Sequence, residues 1–121
     1  LSGGMRQRVA LARAFVVEPA LLLADEAFGH LDEVTSAALR TTFVELARSE
    51  GNTAVVVTHQ LEEAIELGGR ILVFGKPGRV LADIDVATHP ANRMANLRQD
   101  IQRLLHANAV NPQTMNLMAK V

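Results

Sequence analysis

The sequence lacks cysteine, tryptophan and tyrosine, and it contains only four phenylalanines. Without cysteine the chain forms neither disulfides nor thiolate metal sites, which fits a reducing compartment. It also lacks an excess of either charge, since 12 lysines and arginines face 13 acidic residues and the net charge is −1. Proteins that grip nucleic acid through a basic surface carry a clear positive excess. We therefore expect no nucleic-acid partner.

Long apolar runs are missing as well: the longest is Ala20–Ala24, and the other runs, such as Ala54–Val57, are shorter. A helix needs about 20 mostly apolar residues to span a bilayer, so we expect no membrane-crossing segment. The first residues show neither the basic nor the apolar region of a secretory leader, and we expect the chain to be a fragment. Because 49% of its 121 residues are hydrophobic, it has enough apolar material for the core of one domain or part of one.

The first half of the sequence predicts two helices and two strands. Apolar spacing predicts a helix that follows an N-cap at Ser2 and ends before Pro19. The continuous apolar run Ala20–Ala24 then predicts a strand buried on both faces. A second helix is expected over Glu33–Arg48 with Asp32 as its cap, followed by a second buried strand at 53–57.

The second half predicts smaller elements. A short helix at 60–67 is expected to turn its glutamates mostly outward, and strands at 70–74 and 79–84 form a hairpin. His89-Pro90 marks a boundary, and an amphipathic helix follows over 93–107. The tail from Asn108, which is polar and breaker-rich as far as Thr114, is expected to be loosely held.

The tripeptide Ser2-Gly3-Gly4 stands at the start of a predicted helix. A helix N-terminus offers unpaired N–H donors and a partial positive charge, and glycines allow an anion to approach the backbone. Taken alone, the tripeptide is better explained by an ordinary capped helix with a flexible lead-in, because such tripeptides are common. Because Leu1 precedes it and Met-Arg-Gln-Arg follows, we favour a site for a nucleotide phosphate.

Two adjacent carboxylates, Asp25 and Glu26, follow the first predicted strand. Ligands bind at the carboxyl ends of strands in open α/β sheets, where Asp25 can hold the water shell of Mg²⁺ and Glu26 can polarise an attacking water. The alternative is a strand that leaves the core for solvent, with Asp25 capping a turn. His59 follows the second strand in the same way, where a lone histidine is more often a cap than a catalyst.

In order and spacing, these segments resemble the second half of an ABC-transporter ATPase. The signature loop is LSGGMRQR at 1–8, the Walker B strand is LLLADE at 21–26, and the D-loop and switch histidine follow at 28–33 and His59. Residues 25–33 are most similar to the nitrate, sulfonate and taurine importer group. The phosphate-binding pattern G-x-x-x-x-G-K-[ST] of the family's first half does not occur in this sequence.

The resemblance implies an α/β fold, namely the C-terminal part of a P-loop NTPase (RecA-like) parallel sheet with flanking helices. Residues 1–85 would be the second half of the nucleotide-binding domain, and 86–121 a C-terminal helical extension and tail. In such ATPases the P-loop strand lies inside the sheet between the strands that correspond to 53–57 and 70–74. Without it, those two strands have to repack or leave their edges exposed.

The resemblance also implies a site shared by two subunits that sandwich two ATP molecules with Mg²⁺. The residues expected to contact ATP held by the partner subunit are Ser2, Gly3, Gly4 and Gln7. Asp25 is the expected metal residue, Glu26 and His59 the expected catalytic residues, and Asp32 lines the contact between subunits. A membrane-spanning permease is the further partner, which places such a subunit on the cytoplasmic face of the cell membrane.

Two positions depart from the family: Ala27 stands where proline is usual, and Gln60 where aspartate is common.

Phosphoryl transfer depends on the P-loop cradle, so we expect residues 1–121 alone neither to hydrolyse ATP nor to fold as in a full subunit. Two other classes stay open. One is an ATPase of the chromosome or repair type, and the other is a non-catalytic interaction module.

Overall fold

A computed structural model of the chain describes residues 2–88, 94–108 and 116–121. The elements are α1 (Gly3–Val16), β1 (Leu21–Asp25), α2 (Glu33–Ser49), β2 (Thr53–Thr58), α3 (Leu61–Leu67), β3 (Arg70–Gly75), β4 (Arg79–Asp85), a short 3-10 helix (Val86–Thr88), α4 (Met94–Ala107) and β5 (Asn116–Lys120). The predicted helices, the two early strands and the hairpin are thus confirmed, with bounds shifted by one or two residues. The boundary at His89-Pro90 lies outside the described residues.

Both predicted helix caps are present. The Ser2 hydroxyl accepts a hydrogen bond from the backbone N–H of Met5 at 3.1 Å, and Asp32 accepts one from Thr35 at 2.9 Å. In each case the side-chain oxygen satisfies an N–H that has no partner within the helix. These caps fix where α1 and α2 begin, and both beginnings contribute to the candidate site.

The described strands form one five-stranded sheet in the order β1-β2-β5-β3-β4. Strands β1 and β2 are parallel, whereas β5 is antiparallel to both β2 and β3, and β4 is antiparallel to β3. The α/β class is therefore confirmed. The sheet is mixed rather than all parallel, because β5 and the hairpin strand β4 run against the other three.

The gap expected between the strands at 53–57 and 70–74 is filled by the chain itself. Strand β5 pairs with β2 on one side and β3 on the other, and its Leu117 and Ala119 are fully buried. The prediction of a loosely held tail is wrong for this segment. Strand β5 pairs with the open edges of both β2 and β3 and buries apolar side chains there. Together these contacts stabilise a strand of only five residues. Residues 109–115 lie outside the described part of the chain.

The prediction that β1 is buried on both faces is wrong, whereas the glutamates of α3 are mostly outward as predicted, with Glu63 as the exception. In β1, Leu21 is 52% and Leu23 71% exposed, because β1 is an edge strand and only one of its faces is covered. In α3, Glu63 is buried at 4% exposure and not outward, because it turns inward to a hydrogen bond from the Thr58 hydroxyl. Glu62 and Glu66 are exposed as predicted and pair with arginines.

One core joins all these elements. Phe43 of α2 is fully buried and meets Phe15 and Phe28 edge-to-face, with ring centroids 5.9 and 5.6 Å apart. The apolar face of α4 and the inward side chains of β5 belong to the same cluster. Within the described residues, no helix is long and apolar enough to cross a membrane.

Candidate functional site

The backbone turns sharply where β1 ends. Glu26 still donates its N–H to the Val57 carbonyl at 2.8 Å, but its φ is 48°, in the left-handed region. A non-glycine residue held there costs about 1–3 kcal/mol, and such strain clusters at functional sites. The turn takes the Glu26 side chain out of the line of the strand.

The carboxylate of Glu26 lies against the imidazole of His59. The distance from Glu26 Oε1 to His59 Nδ1 is 2.9 Å, and the two side chains are 47% and 43% exposed. Both residues directly follow the paired strands β1 and β2, whose carboxyl ends lie side by side. The two residues predicted to be catalytic are therefore brought into contact, with enough exposure to meet a ligand.

The loop after Glu26 is tethered from two helices. The side-chain amide of Gln7 in α1 donates to the Ala27 carbonyl at 2.7 Å, and the Ser36 hydroxyl in α2 donates to the Phe28 carbonyl at 3.1 Å. Each tether is a side chain that satisfies a carbonyl of an irregular segment. The loop is held at successive residues and is not free to swing.

A groove of about 350 Å³ between α1 and β1 runs beneath this loop. Gln7, Asp25 and Glu26 line it together with apolar side chains. Asp25 is exposed at the end of β1, and no group of three acidic or histidine residues that could enclose a metal occurs among the described residues. A single carboxylate fits Mg²⁺, which is commonly bound through one or two carboxylates, waters and substrate phosphates.

A second cavity of about 340 Å³ lies at the start of α1. Four predicted residues line it: Ser2, Gly3, Gly4 and Asp32. The structure thus divides the predicted site into two groups, and Gln7 joins the acidic residues instead of the glycine pair. Arg8 and His30 also line this cavity, although the sequence interpretation assigned neither to a site. Arg8 lies one helical turn after Gly4, a spacing that places both on the same face.

Asp32 has a structural role that keeps it ionised. Its carboxylate accepts hydrogen bonds from the Thr35 hydroxyl at 2.7 Å and the Thr35 backbone N–H at 2.9 Å. These bonds, the hydroxyl bond first, lower the pKa of Asp32 below its ordinary value. The cavity at the start of α1 is therefore bounded by one fixed negative charge and by the cation Arg8.

The glycine pair packs directly on this segment. A Cβ atom at Gly4 would lie 2.7 Å from Cγ2 of Thr35, and one at Gly3 would lie 3.2 Å from Cδ2 of Leu31. Contacts below 3 Å force a shift, and the Thr35 side chain is fixed by its bond to Asp32. The second glycine is therefore required by close packing as well as by any ligand.

We expect Gly4→Ala to lower the free energy of unfolding by about 1 kcal/mol. Overpacking costs about 1–3 kcal/mol, which exceeds the roughly 1 kcal/mol of helix propensity that alanine gains over glycine. In a Thr35→Ser background the obstructing methyl is gone while the hydroxyl remains. The same substitution should then be neutral or stabilising. Urea unfolding of the four variants measures both values; equal effects in the two backgrounds would contradict the packing explanation.

Comparisons with known proteins agree with these features. The family model described as "ABC transporter" matches residues 1–29. The taurine import ATP-binding protein of Sinorhizobium fredii is 48% identical over 85 residues, covering 69% of this chain and 32% of that protein. The aliphatic sulfonates import ATP-binding protein of Burkholderia cenocepacia is 43% identical over 110 residues, covering 88% and 41%.

A third relative, the glycine betaine/carnitine/choline transport ATP-binding protein of Bacillus subtilis, is 36% identical over 128 residues, covering 96% of this chain and 34% of its own length. The chain spans about a third to under half of the length of the curated relatives it matches. The residues 1–29 that match the family model include Ser2, Gly3 and Gly4 of one cavity and Gln7, Asp25 and Glu26 of the other. The chain belongs to the ATP-binding proteins of the ABC transporter family.

Proposed function

We propose that the chain is part of the ATP-hydrolysing subunit of an ABC importer, in which ATP binding and hydrolysis drive solute transport. The observation that carries this proposal is the 2.9 Å contact between Glu26 and His59 at the ends of two parallel strands. In this role Glu26 takes the proton of the attacking water, and His59 holds the carboxylate and senses the phosphate that leaves. The three parallel strands are then part of a P-loop NTPase sheet.

The two cavities serve two nucleotides in this proposal. Asp25 and Glu26 face the ATP bound by their own subunit, where Mg²⁺ bound with the nucleotide would neutralise phosphate charge. The start of α1 faces the ATP of a second subunit, where N–H groups at Gly3 and Gly4 and the cation Arg8 suit an anionic phosphate. Asp32 then lies at the contact between subunits.

The remaining partners follow from the same proposal. The subunit binds a membrane-spanning permease on the cytoplasmic face of the cell membrane. Its relatives are named for the import of taurine and aliphatic sulfonates and for transport of glycine betaine, carnitine and choline. We propose a small organic solute of this kind as the transported substrate.

Residues 1–121 alone should not hydrolyse ATP, because no P-loop positions the phosphates. A completed subunit, in which this chain replaces the matching part of the Sinorhizobium fredii protein, should hydrolyse Mg²⁺-ATP. The measurement is phosphate release at equal micromolar protein concentrations. Turnover by the isolated chain would contradict the first expectation.

The outcomes for the completed subunit also separate the competing classes. A folded subunit that neither binds nor hydrolyses ATP would refute the proposed function and favour a non-catalytic module. Turnover that DNA stimulates and a permease does not would favour an ATPase of the chromosome or repair type.

A further inference from the structure

A buried arginine lies between the candidate site and α3. Arg40 of α2 is only 5% exposed, and its guanidinium donates to Glu66 at 2.7 Å, to the Ser36 hydroxyl at 2.7 Å and to Glu33 at 2.9 Å. Burial opposes its charge, but the bonds to Glu33 and Glu66 outweigh this effect and raise its pKa. A buried cation with three partners on two helices fixes the distance between those helices.

One branch of this network reaches the loop that follows Glu26. Ser36 accepts from Arg40, and its own hydroxyl proton is thereby directed to the Phe28 carbonyl at 3.1 Å. Phe28 lies two residues after Glu26, and the turn between them is closed by the bond from the Gly29 N–H to the Glu26 carbonyl at 3.3 Å. Arg40 therefore determines the orientation of the hydroxyl that anchors this turn.

The other branch reaches the helix that follows His59. Glu66 belongs to α3, which begins at Leu61, two residues after His59. The start of this helix is tied back to β2, because the Thr58 hydroxyl bonds to the buried Glu63 and accepts from the Gln60 N–H at 3.0 Å. The position of α3 thus constrains the backbone on both sides of His59.

We propose that Arg40 is a positioning residue, which holds Glu26 and His59 in register by tying the turn after Glu26 to the helix after His59. Both side chains of that pair are close to half exposed, so packing alone does not fix their contact. The hydrogen bonds of Arg40 supply the missing constraint, because they hold the backbone that follows Glu26 and the backbone that follows His59. The functional meaning of the pair rests on the proposed function, but its geometry does not.

The test is NMR of the histidine rings in ¹⁵N,¹³C-histidine-labelled chain 1–121 without nucleotide. His59→Gln identifies the His59 signals, and Glu26→Gln gives the change in their ring shifts that accompanies a weakened contact. We expect Arg40→Met to move the His59 signals in the same direction, by at least half as much as Glu26→Gln does. In the Arg40→Met background, Glu26→Gln should change the His59 ring shifts by less than half of the change that it causes in the parent chain.

Arg70→Met is the matched control. Arg70 is also paired with a carboxylate, Asp83, but on the hairpin β3–β4 and away from the network. This control should leave the His59 signals unchanged. Arg40→Lys should move the His59 signals less than Arg40→Met does, because lysine keeps the charge beside Glu66. It should still move them, because lysine lacks the several N–H donors of the guanidinium.

A folded Arg40→Met variant with wild-type His59 signals would overturn the proposal. If Arg40→Met does not fold, Ser36→Ala and Glu66→Gln cut one branch each and decide the question. Either one moving the His59 signals supports the proposal, and both leaving them unchanged overturns it. Because nucleotide is absent, this outcome does not depend on whether the completed subunit hydrolyses ATP.

Discussion

Glu26→Gln in the completed subunit should lower kcat by about 10²–10⁴-fold, the usual contribution of a general base. Glutamine has nearly the same shape and can still bond to His59, but its amide cannot accept a proton. ATP binding should therefore change little while turnover is lost. Initial rates of phosphate release and the Kd for ATP, measured on the same preparation, separate the two quantities.

Glu62→Gln provides the matched control for this prediction. Glu62 is an exposed carboxylate of α3 that pairs with Arg98 and contacts neither cavity. Its substitution should leave both kcat and Kd near the values of the unsubstituted subunit. Wild-type turnover in Glu26→Gln would remove Glu26 as the base and would leave the contact with His59 without a catalytic purpose.

Leu117→Asp should abolish the cooperative unfolding transition of the isolated chain. Leu117 is fully buried between β2 and β3, and an unpaired carboxylate there costs several kcal/mol. Domains of this size have total stabilities of only about 5–15 kcal/mol. The milder Leu117→Ala should cost about 2–5 kcal/mol. Circular dichroism during urea unfolding measures both effects.

Lys120→Asp tests whether the effect belongs to burial and not to charge on β5. Lys120 lies on the same strand but is exposed, and surface substitutions usually change stability by no more than about 0.5 kcal/mol. If Leu117→Asp and Lys120→Asp unfolded at the same urea concentration, β5 could not be a central strand of the sheet.

The parts of the fold that depend on near neighbours in the chain could be predicted from the sequence. The caps at Ser2 and Asp32 and the hairpin around Pro77 are set by residues within a few positions of each other. Strand β5 could not be predicted in this way. Its partners are far away in sequence, and its five residues carry no signal that names the edges they join.

The same distinction holds at the candidate site. The meeting of Glu26 and His59 follows from a simple rule, since both residues end parallel neighbouring strands. The tethers from Gln7 and Ser36 and the bond of Arg40 to Ser36 arise from tertiary packing. Arg40 gave no signal in the sequence beyond being a charged residue in an amphipathic helix. The exposure of Leu23 was missed because a purely apolar run does not reveal whether both faces of the strand are covered.

The place between β2 and β3 has room for one peptide backbone. Any longer polypeptide that inserts a strand of its own there must first expel residues 116–120. Residues 116–120 then pass from a strand that is hydrogen-bonded on both edges to a released segment. Hydrogen exchange of the backbone amides of residues 117–120 therefore reports directly on whether another segment has joined the sheet.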